Sequence, residues 1–273
     1  PLLNDSDSLM IIADVSFAQL LNNIRQDLVA IKNDRYISVG GDVAPAGFVS
    51  FDKFIQTASK NEPPDPKLTD NDVYNIMYSS GTTGSPKGII HTHYIRSCYC
   101  TLFASSFRMS PESIILHSGS LVFNGAMMGF MPWMYLGCRY ILHETFDPKR
   151  IIEEIESSQV THIILVPSQI VELLNHQDFD PSRLTSLEMI TSLGAPLLME
   201  YKNKLKQLLP NRFYELYGLT EGFITCLDKN DALQKPRSVG VPLRFLEMKI
   251  VDTFGSEVAS GEVGEICGRG PLL

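Results

Sequence analysis

Three observations predict an α/β fold: a doubly wound, mainly parallel sheet with helices on both faces, plus the start of a small β-rich subdomain at the C-terminal end. From 113 to 218, apolar runs of strand length alternate with segments whose apolar residues recur at helical spacing. The stretches that look chemical, 79–88, 194–196 and 217–221, each follow a predicted strand, which is where such folds bind ligands. Past 221 the helical spacing gives way to short strands between glycines.

Residues 8–14, SLMIIAD, read as a buried strand. Phe17, Leu20, Leu21, Ile24, Leu28 and Ile31 share one face of a predicted helix over 17–31. A short strand at 36–39, a helix at 51–59 and a polar, proline-rich connector at 61–66, NEPPDP, come next. The run 73–78 is expected to be a buried strand, 93–107 a helix and 113–118 a strand. Residues 121–138, LVFNGAMMGFMPWMYLGC, carry no charge over a length that admits a membrane span. Asn124, three glycines, Pro132 and the lack of a flanking basic cluster favour a helix buried between layers instead.

Asp147 and Pro148 have the residue types of an N-cap and first helical position, with Ile151, Ile152 and Ile155 as the buried stripe behind them. THIILV at 161–166 is a buried strand, and Pro167-Ser168 opens a helix carrying Ile170, Val171, Leu173 and Leu174. A strand at 187–192 ends in Gly194-Ala195-Pro196. An amphipathic helix at 199–209 is expected to turn lysines out and leucines in, and a strand at 212–216 ends in Tyr217-Gly218. Short strands at 238–242, 247–251 and 262–268 make the β-rich end.

With 273 residues, 44% hydrophobic and 20% charged, the chain can bury one large core or two modest ones. A net charge of −8 gives no basic face for nucleic acid. Cys98, Cys100, Cys138, Cys226 and Cys267 are scattered and odd in number, with no zinc-type spacing, which fits a reducing cytoplasm. The chain begins at Pro1 without a leader and stops in Gly270-Pro271-Leu272-Leu273, so it is expected to be an internal piece of a longer protein.

The stretch 79–88, Ser79-Ser80-Gly81-Thr82-Thr83-Gly84-Ser85-Pro86-Lys87-Gly88, gathers hydroxyls, flexible glycines and a lysine. Glycines let backbone N–H groups converge on a polyphosphate, hydroxyls add donors and the lysine adds a mobile charge. It is not a P-loop, because Pro86 precedes the lysine and Gly88 follows it. Tyr217-Gly218-Leu219-Thr220-Glu221 places an aromatic face, a close-approach glycine, a hydroxyl and a carboxylate in sequence; alone it would be a strand end and helix cap. His91-x-His93 lacks a third metal ligand.

The first stretch resembles the phosphate-loop signature of the adenylate-forming superfamily, which includes acyl-CoA synthetases and peptide-synthetase adenylation domains. Tyr217 to Glu221 resembles its Tyr-Gly-x-Thr-Glu element, 194–196 its adenine-bordering Gly-Ala-Pro, and 264–270 the strand before its ribose-binding aspartate, which this chain does not reach. The hinge and small C-terminal domain of the family, whose lysine assists adenylation, are likewise not present. The resemblance implies a partial α/β subdomain and connector over 1–70, a nucleotide-binding core over 71–222 and a partial β subdomain over 223–273.

It further implies ATP-dependent activation of a carboxylic acid to an acyl-adenylate and then an acyl-CoA thioester. ATP, Mg²⁺ and coenzyme A are the implied cofactors, and the isolated piece is expected to be inactive. Ser79, Ser80, Gly81, Thr82, Thr83, Gly84 and Lys87 would hold the β- and γ-phosphates. Gly194, Ala195 and Pro196, with Glu215, Leu216, Tyr217 and Gly218, would contact the nucleotide. Thr220 would contact the α-phosphate or the substrate carboxylate, and Glu221 would hold Mg²⁺; Lys87, Thr220 and Glu221 are the implied catalytic set.

Phe123 and Asn124 fall at the family's acyl gate. Peptide-synthetase domains carry Phe-Asp there to hold an α-ammonium group, and neutral Asn124 supplies no such charge. A simple carboxylic acid is therefore the expected substrate, in a cytoplasmic enzyme without a transmembrane segment, with room for loose membrane attachment. The alternatives are an amino-acid adenylation domain and a non-catalytic nucleotide-binding module.

Overall fold

A computed structural model describes residues 2–56, 58–79 and 86–273. The chain forms two compact units, residues 1–69 with 78–89 and residues 70–77 with 90–273. In the smaller unit, α1 (Leu2–Asp5) precedes three parallel strands, β1 (Ile11–Asp14), β2 (Tyr36–Val39) and β3 (Val49–Ser50). Helix α2 (Ala18–Asn23) lies between the first two strands in sequence, and α3 (Phe51–Gln56) follows the third. Ile11, Leu21, Leu28, Ile31 and Tyr36 form the core. The single helix expected over 17–31 ends at Asn23, and a 3₁₀ turn occupies Arg25–Asp27. Leu21, Leu28 and Ile31 are buried on a face assembled from a helix, a turn and a loop, whereas Phe17 and Leu20 of the expected face are exposed.

β4 (Val73–Ser79) and β5 (Lys87–Thr92) pair with each other as a separate two-stranded sheet. Contrary to expectation, β4 is not a buried strand: Val73 and Tyr74 are exposed and none of its residues is fully buried. It stands outside the large sheet, so its apolar residues have no sheet neighbours but β5 among the described residues.

The larger unit follows the predicted alternation. In order come α4 (His93–Phe107), β6 (Ile114–Ser118), α5 (Asn124–Leu136), β7 (Arg139–His143), α6 (Pro148–Ser158), β8 (His162–Leu165), α7 (Pro167–Asn175), β9 (Met189–Ser192), α8 (Met199–Leu208) and β10 (Phe213–Gly218). β11 (Ile224–Leu227), α9 (Asp231–Gln234), β12 (Val241–Pro242), β13 (Glu247–Val251) and β14 (Glu265–Arg269) complete it. Local signals behave as read: Asp147 caps α6 by accepting from Arg150 N, and Pro148 takes its first position.

Seven strands form one sheet in the order β12-β11-β10-β9-β8-β6-β7, parallel from β10 to β7 and antiparallel at β11 and β12. Helices α4 and α5 cover one face, where Tyr99, Phe103, Phe107, Met127 and Met131 pack with Ile115, Ile164 and Tyr214. Helices α6, α7 and α8 cover the other, with Ile151, Ile155, Ile170, Leu173 and Leu205 against Leu116, Ile163 and Ile190. The chain leaves β6 outward to β7 and returns on the far side with β8. The crevice beyond the carboxyl ends of β6 and β8 is thus the switch point, where loops diverge and leave room for a ligand.

The uncharged 121–138 stretch holds helix α5, buried along most of Asn124 to Pro132 with Met134 and Tyr135 exposed, and no helix among the described residues is long and apolar enough to cross a membrane. The boundary expected at 222/223 falls inside the sheet, because β11 and β12 extend it; β13 and β14 alone form a separate antiparallel pair. Strands β3, β5, β7 and β11 are not among those expected from the sequence. In α8, Lys202 departs from the expected pattern: it is buried, because Glu215 and the Pro236 carbonyl accept its ammonium inside the fold.

Candidate functional site

The β10–β11 hairpin carries the Tyr-Gly-Leu-Thr-Glu stretch at its tip. Gly218 pairs with Ile224, and a Cβ there would lie 2.7 Å from the Phe223 carbonyl oxygen, so glycine is required by close backbone approach. Leu219 N donates to Phe223 O at 2.9 Å and Gly222 N to Leu219 O at 3.0 Å, closing the turn. Tyr217 is partly exposed with its ring edge-on to Phe223, and Glu221 is exposed.

The backbone of this turn is tied to β5. His91 is wholly buried, and its Nε2 donates to the Thr220 carbonyl at 2.9 Å. Nδ1 is then the unprotonated nitrogen, and it has no protein partner among the described residues. Burial first, then the Arg96 charge, lowers the His91 pKa and keeps the ring neutral. His93, the other histidine of the pair, packs edge-on against Tyr74.

After β9 the chain turns through Gly194 with φ +88°, a conformation that favours glycine. Leu197 N, just beyond Pro196, donates to Glu215 Oε1 at 3.4 Å, and the other carboxylate oxygen takes the Lys202 ammonium. Glu215 is therefore spent inside the fold, anchoring the end of the 194–196 segment. Its service to a nucleotide would run through that segment.

Helix α5 begins at Asn124, in the pair expected to form an acyl gate. Phe123, at the N-cap, is exposed, whereas Asn124 is buried with both ends of its amide used. Oδ1 accepts from Arg96 Nη1 at 2.9 Å, and Nδ2 donates to the Tyr99 hydroxyl at 2.8 Å.

These pieces meet at two adjoining cavities. One, of about 190 Å³, is lined by Phe123, Asn124, Gly194 and the turn from Leu216 to Thr220. The other, of about 440 Å³, lies at the switch point and is walled mainly by apolar groups, among them Ala126, Ile164, Leu165 and Val166, with His117, Ser118, Ser120 and Gln169 as polar members. Phe123, Gly125, Leu193 and Gly194 line both. Phe123 and Leu193 give the shared wall its side chains, and a Cβ on Gly125 would sit 2.9 Å from Leu193 Cδ1. Thr220 and Tyr217 thus line a smaller chamber that adjoins a larger, mainly apolar one. Such a site suits binding an amphipathic ligand and holding a developing charge, more than nucleophilic attack by the protein.

Gly194 and residues 216–218 and 220 of the expected site come together, as do Phe123 and Asn124; Ala195 and Pro196 directly follow Gly194. Ser79 ends β4 and Lys87 begins β5, an exposed residue, in the smaller unit. Ser80, Gly81, Thr82, Thr83 and Gly84 lie outside the described residues. No group of three or more His, Cys, Asp or Glu among the described residues is arranged to hold a metal. Glu221, the residue expected to hold Mg²⁺, is exposed directly after Thr220.

Sequence reasoning missed Arg96, Tyr99 and Asn75, which form the polar cluster beneath Asn124. The available signal was an arginine on the same helical stripe as Tyr99 and Phe103, a face otherwise apolar or aromatic.

Residues 2–273 match the sequence model of a family described as AMP-binding enzyme. A feruloyl-CoA synthase from Amycolatopsis sp is 31% identical over 219 residues, covering 78% of this chain and 44% of that protein. The medium/long-chain-fatty-acid--CoA ligase FadD8 of Mycobacterium tuberculosis is 33% identical over 211 residues, covering 76% and 36%. Among solved structures, ATP-bound MatB from Rhodopseudomonas palustris superposes with a TM-score of 0.86 at 21% identity, over 100% of this chain and 52% of that one. The chain spans about half the length of the relatives it matches.

Proposed function

The chain belongs to the AMP-binding enzyme family, and from that premise we propose that the protein activates a carboxylic acid with ATP and transfers the acyl group to coenzyme A. A carboxylate oxygen attacks the α-phosphorus, the bond from that phosphorus to the bridging oxygen breaks, and pyrophosphate leaves. The coenzyme A sulfur, having lost its proton, then attacks the acyl carbonyl, and AMP leaves as the thioester forms.

Charge grows on phosphoryl oxygens in the first step, so positioned donors and a cation do most of the catalysis. The Thr220 hydroxyl serves the α-phosphate or the acid, with its backbone fixed by His91. Tyr217 and the segment from Gly194 to Pro196 border the adenine. Ser79, Lys87 and the loop between them take the β- and γ-phosphates, and Glu221 holds Mg²⁺, which neutralises the phosphate charge when bound. Phe123 gates the apolar chamber, which takes the acyl group; aliphatic and aromatic acids both suit its walls. A soluble cytoplasmic enzyme of fatty-acid metabolism is the setting this chemistry fits.

The observation that carries the proposal is the meeting of Phe123, Gly194 and the turn from Tyr217 to Thr220 around one cavity, next to an apolar chamber at the switch point. ATP–pyrophosphate exchange by the full-length protein over a panel of acids tests it. Exchange driven by simple carboxylic acids, followed by thioester formation with coenzyme A, is expected. Exchange with amino acids alone, or ATP binding with no acid-dependent exchange, would overturn it.

A further inference from the structure

Arg96 is 1% exposed and has no carboxylate within ion-pair distance among the described residues. Its contacts are neutral. Nε donates to Asn75 Oδ1 at 2.9 Å, Nη1 to Asn124 Oδ1 at 2.9 Å and Nη2 to the Met77 sulfur at 3.5 Å. The guanidinium carbon stands 4.6 Å from the centre of the Tyr99 ring. Buried charges are normally paired, because desolvating an unpaired one is costly. Here the cation is kept, hydrogen-bonded but uncompensated, one side chain behind the wall of the smaller cavity: Asn124, which accepts from it, lines that cavity. The 13-residue helix α5 starts at the same asparagine with no side-chain cap, so its N-terminal dipole adds to the same positive field.

We propose that Arg96 sets the charge selectivity of the smaller cavity: acting through Asn124, its guanidinium favours a bound carboxylate and disfavours an acid that also carries an α-ammonium group. This rests on the acid-activation function proposed above and adds to it the residue that separates simple acids from amino acids. Arg96 is a positioning and field-setting residue, since it does not reach the cavity itself. An aspartate at 124 would pair with Arg96 and cancel its charge. The neutral amide leaves the charge in force.

The test uses full-length protein and calorimetric binding of straight-chain acids from acetate to dodecanoate, benzoate and 3-phenylpropanoate, each against its carboxamide and, where one exists, its α-amino counterpart. Wild type is expected to bind its best acid at least tenfold more tightly than the matching amide. Arg96→Met and, independently, Asn124→Asp should each bring that ratio close to one, while Arg96→Lys keeps most of it. Arg96→Met should also raise KM for the acid about tenfold and leave KM for ATP unchanged, a split that a purely structural staple would not give. Asn124→Asp keeps the arginine and creates an ion pair, so it answers the question even where Arg96→Met fails to fold.

A ratio that survives Asn124→Asp, a wild type that binds amide as well as acid, or one that binds no acid would overturn the proposal. Acid-dependent pyrophosphate exchange measured on the same protein separates the two ideas. Exchange with an unchanged ratio removes only the role of Arg96, whereas absent exchange removes the acid-activation function.

Discussion

Glu215 lies 2% exposed in β10, its carboxylate shared between the Lys202 ammonium and the Leu197 N–H. Neither charge is visible in the sequence as a buried one. Lys202 lies on the stripe of Leu205 and Leu209, at i, i+3 and i+7, so its place is periodic with the buried leucines, but its charge argues for solvent and its partner sits on another element. Burial of both side chains makes the pair intolerant of losing one member. Lys202→Met should cost about 3–5 kcal/mol, the usual penalty for stranding a buried charge. Replacing both, as Lys202→Met with Glu215→Leu, should recover most of that loss. Urea denaturation midpoints of the two variants check this, and equal midpoints would refute it. Because Glu215 also holds the end of the segment from Gly194, the double variant should still lose ATP affinity, which nucleotide titration reads separately.

Among the elements, those with a strong period and a local start signal were legible. Asp147-Pro148 announces α6, THIILV announces β8, and the uncharged stretch around Met127 announces a buried helix. β7 and β11 were not legible. Residues 139–143, RYILH, follow an apolar helix with only Gly137-Cys138 between, so their alternation merges into its tail. Residues 224–227 sit directly behind the turn of a recognised motif and look like its continuation. Yet β11 explains the glycine of that motif, since the Phe223 carbonyl crowds Gly218. Gly218→Ala should therefore destabilise the hairpin by about 1–3 kcal/mol, the scale of an overpacked contact. It should also weaken ATP binding more than acid binding, because Tyr217 and Thr220 ride on the same turn. Urea unfolding with ATP and acid titrations would expose the error if acid binding fell first. The stretch 79–88, expected to bind phosphate, is the reverse case: clear in sequence from its glycines and hydroxyls, and largely outside the described residues.

For the molecule as a whole, burial of histidines sets a pH response. His91 and His162 are both fully buried, with pKa lowered first of all by desolvation. In the unfolded chain each titrates near about 6.5. Below that pH the unfolded state takes up protons that the folded state refuses, so it binds more protons and stability falls. The contribution is complete above about pH 6.5 and is lost as pH drops towards the lowered folded values. Thermal unfolding should accordingly occur at lower temperature at pH 5.5 than at 7.5. His162→Gln, which retains a donor for the Phe107 carbonyl, should flatten that dependence; an unchanged slope would remove His162 from the explanation.

The parallel arrangement of five strands followed from the alternation of periods, and the two antiparallel strands did not, because nothing in a period states a strand's direction. The last of them, β12, is two residues long and ends in Pro242, which lies opposite Thr225. A proline offers no amide hydrogen to a further neighbour, so along that margin the ladder runs out of donors. Another polypeptide arriving there, a second copy included, finds no continuous template to extend. The short, proline-ended strand thus does for self-association what a long, regular one would undo.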